Sequence, residues 1–213
     1  MSIFNVFKSK SKQASAKKHK HLAVEEQLQV LSDLGIRPKR EDFIEWICYE
    51  WGRNAVESDP YNLMLFSLGG ERQKDDGTWE YSSDDIYSFD MECVEDSDIY
   101  SSIVKRLSAL SNGLFTISQI SSIVDHDNAR ASVSFTRNGE NHNWDLQYDE
   151  DWFDYNVINR MNNLLKDDNA SKLFYTSTPD QNLIVLFTTR EIIERINSFV
   201  SVPFVLGVEM LKA

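Results

Sequence analysis

The sequence predicts an α+β fold, with an antiparallel or mixed sheet, helices mainly on one face, and an N-terminal pair of helices ahead of the sheet. Asn138-Gly139 separates two runs in which apolar and polar residues alternate, and this pattern predicts a β-hairpin over residues 131–148. Apolar residues at helical spacing predict helices over 98–110 and 155–165. Short apolar runs predict a pair of strands over 173–177 and 183–188.

The segment before residue 60 is predicted to be helical. Leucines near helical spacing indicate a helix over residues 22–34, which Gly35 is placed to end. A second helix over 40–53 has a wide apolar face, which burial explains better than a cofactor site. We treat residues 21–58 as a helical preface to the sheet.

The remaining elements follow from shorter patterns. The apolar run 63–68, which ends at Gly69-Gly70, predicts an inner strand. Asp98 and Thr189 are expected to cap the helices that follow them, the second of which covers 190–199. Further strands are predicted over 79–81, 86–91, 114–124 (with a bulge) and 202–208.

Composition predicts one α+β domain over residues 21–213 and a flexible basic tail over 1–20. The 213 residues include 41% hydrophobic residues, which suffice for a core. No apolar run reaches the roughly 20 residues that span a bilayer. With only Cys48 and Cys93, no disulfide framework is expected, so a reduced cytoplasmic protein is predicted.

The charge is strongly acidic outside the tail. The net charge is −12, yet residues 1–21 hold six lysines and no acid, which leaves 16 of the 22 basic residues against all 34 acids and a net −18. Such a surface repels nucleic acid, whose binding requires lysine and arginine at the phosphates. It favours a basic protein partner, although acidity can also serve solubility alone.

The first dense acidic cluster comprises Asp90, Glu92, Glu95 and Asp96, with Asp98 beside it. Asp90 and Glu92 are two residues apart and would point the same way on a strand, as a metal-dependent hydrolase requires. No lysine follows them, and no glycine or closing glutamate completes a calcium loop after Asp96. A solvated edge and a helix cap explain the charges better, so no metal is predicted.

The second cluster combines carboxylates with aromatic rings. Its residues are Asp145, Tyr148, Asp149, Glu150, Asp151, Trp152 and Asp154, with Trp144 and Tyr155 at its margins. A helix start accounts for Asp151 and Asp154, but it does not require five acids. Carboxylates beside aromatic rings suit arginine and lysine side chains. Core packing is the favoured role of Trp144 and Trp152, and the alternative is that Trp152 or Tyr148 anchors a partner.

Motifs of familiar enzymes are missing from the sequence. It contains no Gly-x-Ser-x-Gly elbow and no glycine-rich phosphate loop, and neither cysteine has an activating neighbour. We therefore predict a protein without catalytic activity and without a cofactor.

A resemblance to known proteins rests on four parts of the sequence: Phe89-Asp90-Met91-Glu92-Cys93-Val94-Glu95-Asp96, Ile99-Tyr100, Trp144 and Asp151-Trp152-Phe153-Asp154. Over about residues 85–190 the chain resembles a group of uncharacterised acidic bacterial proteins, which implies no established activity. Small acidic α+β proteins of this type resemble immunity proteins of bacterial toxin systems, which neutralise a basic toxin by plugging its active site.

The predicted function is a non-catalytic cytoplasmic binding protein of the immunity type, which contacts a basic partner through the two acidic clusters. One alternative is a metal-dependent hydrolase that uses Asp90 and Glu92. The other is a membrane-peripheral structural protein tethered by residues 1–20, whose short apolar start precedes lysines.

Overall fold

A computed structural model describes residues 21–74 and 76–207. The described residues form seven helices and nine strands. The helices are α1 Val24–Asp33, α2 Phe43–Trp51, α3 Arg53–Ser58, α4 Asn62–Gly69, α5 Ile99–Leu110, α6 Asn156–Asp167 and α7 Arg190–Asn197. The strands are β1 Glu71–Gln73, β2 Trp79–Tyr81, β3 Ile86–Asp90, β4 Ser118–Asp125, β5 Arg130–Arg137, β6 Glu140–Leu146, β7 Leu173–Ser177, β8 Asn182–Thr188 and β9 Val205–Leu206.

The strands form three antiparallel sheets. A central sheet has the order β3-β8-β7-β9, a second sheet has the order β4-β5-β6, and β1 pairs with β2 alone. These sheets and the helices around them confirm the predicted α+β class.

Both faces of the central sheet are buried. Along β8, Leu183, Val185 and Phe187 pack into a core with α5, α6 and the second sheet, whereas Ile184 and Leu186 pack into a second core with the other five helices. Alternate residues of a strand point to opposite faces of the sheet, so other elements must pack on both faces of an apolar strand such as β8. Five of the seven described helices therefore share one face of this sheet.

The hairpin predicted around Asn138-Gly139 is confirmed. The backbone φ is 52° at Asn138 and 81° at Gly139, as a two-residue turn of this type requires. The pair Arg137 and Glu140 closes the turn, and Val133 lies opposite Trp144. The bulge predicted in the preceding strand is also present, because the register of β4 against β5 shifts between Ser118 and Ser121.

The strand predicted over residues 63–68 is wrong, because this run lies in α4. Helix α4 buries side chains around most of its circumference, so its sequence lacks the one-sided spacing of a surface helix. Gly69 lets the helix end approach β3 closely, because a Cβ on Gly69 would lie 2.5 Å from the backbone nitrogen of Ser88.

Other predictions need smaller corrections. The helical pair α1 and α2 is present, but α3 and α4 follow it before the first strand. Asp98 and Thr189 occupy N-cap positions, yet neither side chain makes a capping hydrogen bond. The last predicted strand, 202–208, is shortened to β9, with residue 208 outside the described residues. The predicted tail, 1–20, also lies outside them.

Candidate functional site

The two acidic clusters meet through their main chains. Glu92 and Trp152 form an antiparallel bridge. The Val94 amide donates to the Asp151 carbonyl at 2.8 Å, and the Phe153 amide donates to the Met91 carbonyl at 2.7 Å. The segment after β3 is thereby joined to the segment before α6, although about sixty residues separate them in the chain.

Apolar residues on the inner side of this bridge fix its orientation. Val94 and Phe153 are buried in the first core. The Phe153 ring stacks on Tyr100 at a centroid distance of 5.3 Å and meets Phe89 edge-on at 5.2 Å. Because neighbouring residues of an extended segment point to opposite sides, the side chain of Trp152 is directed outward.

We define the acidic corner as Glu92, Glu95, Asp149, Glu150 and Asp151. Asp151 is partly exposed and the other four are exposed. Within the described residues, none of these five carboxylates makes a hydrogen bond or an ion pair. Neither residues 90–98 nor residues 145–154 include a lysine or arginine. The corner is therefore negatively charged without an internal counter-charge.

Trp152 supplies an apolar surface beside these carboxylates. Its side chain is 38% exposed, so Trp152 does not pack in the core as the sequence predicts. Trp144 does pack on the core, edge-on to Phe135 at 4.9 Å, and the Arg160 guanidinium lies 5.7 Å from its ring centroid. The two tryptophans of the second cluster thus have different surroundings.

Burial and nearby carboxylates both affect the thiol of Cys93. Burial and, to a smaller extent, the nearby carboxylates of Asp90 and Glu95 together raise the pKa of Cys93 to about 12. Both causes disfavour the thiolate. We therefore expect Cys93 to be a slowly reacting thiol.

Two acids of the first cluster shape its turns. Asp90 accepts a hydrogen bond from the Glu92 amide at 2.9 Å and another from the Gln181 side chain at 2.7 Å. Asp96 accepts from the Asp98 amide at 3.1 Å. Strand β3 ends at Asp90, so the alternation that would align Asp90 with Glu92 stops between them. In the residues described, no group of three or more His, Cys, Asp or Glu side chains is arranged to hold a metal.

Asp154 is buried and has a structural role. It is only 6% exposed, and its carboxylate accepts hydrogen bonds from the Gln147 amide at 2.9 Å and the Asn156 amide at 3.0 Å. Its own amide donates to the Tyr100 hydroxyl at 2.9 Å. The predicted partner contact does not fit Asp154, because its carboxylate is turned inward to hold the loop before α6.

The last two predicted contact residues lie beside the corner. Asp145 is on the outer face of β6, opposite Ser132, and shares a surface hollow with Arg130. The Tyr148 hydroxyl lies 3.0 Å from Nδ1 of His126. His126 follows β4, and its contact with Tyr148 is not predicted by any motif in the sequence.

Comparison with known proteins gives no relative, so a function can be inferred only from this geometry. No protein-family model matches the chain, and no curated protein or solved structure matches it. Among the described residues, every helix is too short or too polar to cross a membrane.

Proposed function

We propose that this chain is a non-catalytic binding protein of the cytoplasm that docks a basic protein through its acidic corner. Immunity proteins that neutralise a basic bacterial toxin are the class with this chemistry. One observation carries the proposal: main-chain pairing joins two distant segments that carry the exposed Trp152 and five carboxylates without partners among the described residues.

Electrostatics supports a cationic partner. Like charges held close together repel one another, and a partner's lysines and arginines would relieve that repulsion on docking. At physiological ionic strength charges are screened over about 8 Å, so the corner would act on a partner already close to contact. Association should consequently slow as salt is added.

An exposed indole supports a specific interface in addition to charge attraction. Tryptophan is enriched among the few interface residues that carry most of the binding energy. Carboxylates around such a ring would form the polar rim, and the ring of Trp152 would be the anchor that enters the partner.

Both cysteines support the proposal that the protein is located in a reducing compartment. Cys48 and Cys93 are free thiols, and proteins of oxidising compartments commonly pair their cysteines. A cytoplasmic location is therefore part of the proposal.

The test compares two variants that change the net charge equally. The corner variant carries Asp149→Asn, Glu150→Gln and Asp151→Asn. The control variant carries Glu26→Gln, Glu41→Gln and Glu191→Gln, three exposed acids without ion pairs in the described structure. Immobilised wild type, corner variant and control variant are each exposed to the same cell extract, and retained proteins are identified by mass spectrometry.

We expect at least one basic protein to be retained by the wild type and the control variant and lost from the corner variant. A second variant, Trp152→Ala, should weaken that same interaction without changing net charge. If the corner and control variants retain the same proteins to the same extent, the acidic corner is not a docking surface.

A further inference from the structure

A groove between α2, α4 and the edge of β3 has aromatic walls and acidic margins. Its volume is about 280 Å³. The rings of Trp46, Trp51 and Phe66 line it together with the carboxylate residues Glu50 and Glu71. Aromatic faces attract cations, and carboxylates add to that attraction.

The aromatic wall is held in place by specific contacts. The Trp51 indole nitrogen donates a hydrogen bond to the Ser67 hydroxyl at 3.0 Å, and the ring meets Phe66 edge-on at a centroid distance of 6.3 Å. Trp51 nevertheless remains 44% exposed. A ligand would therefore meet a ring that is already positioned, which lowers the ordering cost of binding.

The carboxylates at the margins differ in their surroundings, since Glu71 interacts with Tyr81 and more weakly with the Arg106 guanidinium. Glu50 and Glu71 are both exposed, and neither forms an ion pair within the structure's described ranges. Burial raises the pKa of Tyr81 to about 12, together with the hydrogen bond and charge of the Glu71 carboxylate. Glu50 is therefore the carboxylate of the groove that has no partner among the described residues.

One ring of the groove already lies close to a guanidinium. The Arg72 guanidinium carbon is 5.5 Å from the Trp46 ring centroid. Arg72 is itself compensated by Asp42 at 3.4 Å and Glu80 at 3.9 Å. The contact between Arg72 and Trp46 shows that one ring of the groove already lies beside a cation. The rings of Trp51 and Phe66 are available to a second cation.

We propose that this groove receives an arginine or lysine side chain of the basic partner. That the side chain comes from this partner rests on the proposed function. Pockets for drug-sized ligands usually measure about 300–1,000 Å³, so a groove just below that range suits a single long side chain. Ser88 lines the groove two residues before Asp90 on β3. At about 3.3 Å per residue, one partner can span the groove and the start of the first acidic cluster.

The test uses a small probe and the full chain, without the partner. N-acetyl-L-argininamide is titrated into ¹⁵N-labelled protein while the indole N–H signals are recorded by NMR, and the Trp51 signal is assigned from its loss in Trp51→Phe. The matched probe is N-acetyl-L-citrullinamide, which has a similar shape and no charge. We expect the arginine probe to shift the Trp51 signal with a dissociation constant on the order of 10 mM, as a single weak cation site allows.

Variants separate this groove from the acidic corner. The double variant Glu50→Gln, Glu71→Gln should weaken binding of the arginine probe by about fivefold or more, whereas Glu150→Gln, Asp151→Asn should leave it unchanged. An unchanged signal dispersion in each variant shows that the fold is intact.

Three outcomes would overturn the inference: no saturable shift of the Trp51 signal, an equal shift with the citrulline probe, or loss of the shift in the corner variant alone. None of them affects the acidic-corner proposal, because the probe experiment requires no partner. Conversely, saturable arginine binding without any retained basic protein would refute the proposed source and leave the groove as a cation site.

Discussion

Replacing Asp154 by alanine tests whether the loop that carries much of the acidic corner depends on a buried carboxylate. The substitution removes the two hydrogen bonds that Asp154 accepts from the amides of Gln147 and Asn156. Those amides belong to the segments on either side of Asp149–Asp151. We therefore expect a loss of stability and a loosening of the corner together.

The magnitude follows from the burial and the number of bonds. A hydrogen bond to a charged group contributes about 1.5–3 kcal/mol, and contributions of neighbouring bonds do not add fully. Two such bonds at a side chain that is 6% exposed predict a loss of about 3 kcal/mol in the free energy of unfolding. Asp154→Asn keeps an uncharged acceptor and should lose about 1–2 kcal/mol.

Urea unfolding followed by circular dichroism measures this loss. With a slope of about 3 kcal/mol per molar, the upper range for small proteins, the Asp154→Ala midpoint should fall by about 1 M. The matched control is Asp151→Ala, which removes a carboxylate without a hydrogen bond in the described structure and should stay within about 0.5 kcal/mol of the wild type. Equal stability of Asp154→Ala and Asp151→Ala would refute the structural role of Asp154.

Three further predictions concern packing, thiol reactivity and acid stability. Gly69→Ala places a Cβ 2.5 Å from the backbone of β3 and should cost about 1–3 kcal/mol of stability by overpacking. Cys93, whose pKa is raised from 9.0 to about 12 by burial and nearby carboxylates, should react with iodoacetamide at pH 8 at least about a hundredfold more slowly than an ordinary thiol. A hydrogen bond from Arg40 is the main cause that lowers the pKa of Asp42 from 3.8 to about 2. A depressed carboxyl pKa stabilises the fold above the unfolded value, so this contribution should disappear as pH falls from about 4 to 2.

Each of these predictions has a control inside the chain. Gly70→Ala is the control for Gly69, because its nearest contact would be an ordinary 3.5 Å; equal losses would contradict the overpacking argument. For Cys93 the control is the same thiol in urea-unfolded protein, and equal modification rates would contradict it. Asp42→Asn should flatten the acid-dependent part of the unfolding curve, and an unchanged slope between pH 4 and 2 would contradict the linkage.

Local patterns predicted most of the secondary structure. The turn at Asn138-Gly139 was visible because its two residues require an unusual backbone conformation that few residue types adopt. The run 63–68 wrongly predicts a strand, because a helix buried on most sides has no polar stripe and a short apolar run does not distinguish the two. Propensity also could not show that Gly69 is needed for the close approach of two backbones.

The candidate site was only partly visible in the sequence. Its acidic residues could be identified, but their meeting depends on hydrogen bonds between segments far apart in the chain, such as Val94 with Asp151. Sequence spacing likewise could not separate Asp154, which is turned into the protein, from its neighbour Asp151. That difference follows from the packing of Tyr100 and Phe153 beneath the loop.

Main-chain pairing between residues 91–94 and 151–153 has a consequence for how this surface can change. The backbone holds the corner, and the side chains of Glu92, Glu95 and Glu150 contribute nothing to that attachment in the described structure. Under the proposed function, substitutions at those three positions would alter which protein is recognised while the scaffold beneath keeps its stability. A docking surface of this kind could change its specificity one side chain at a time without a change in the backbone that supports it.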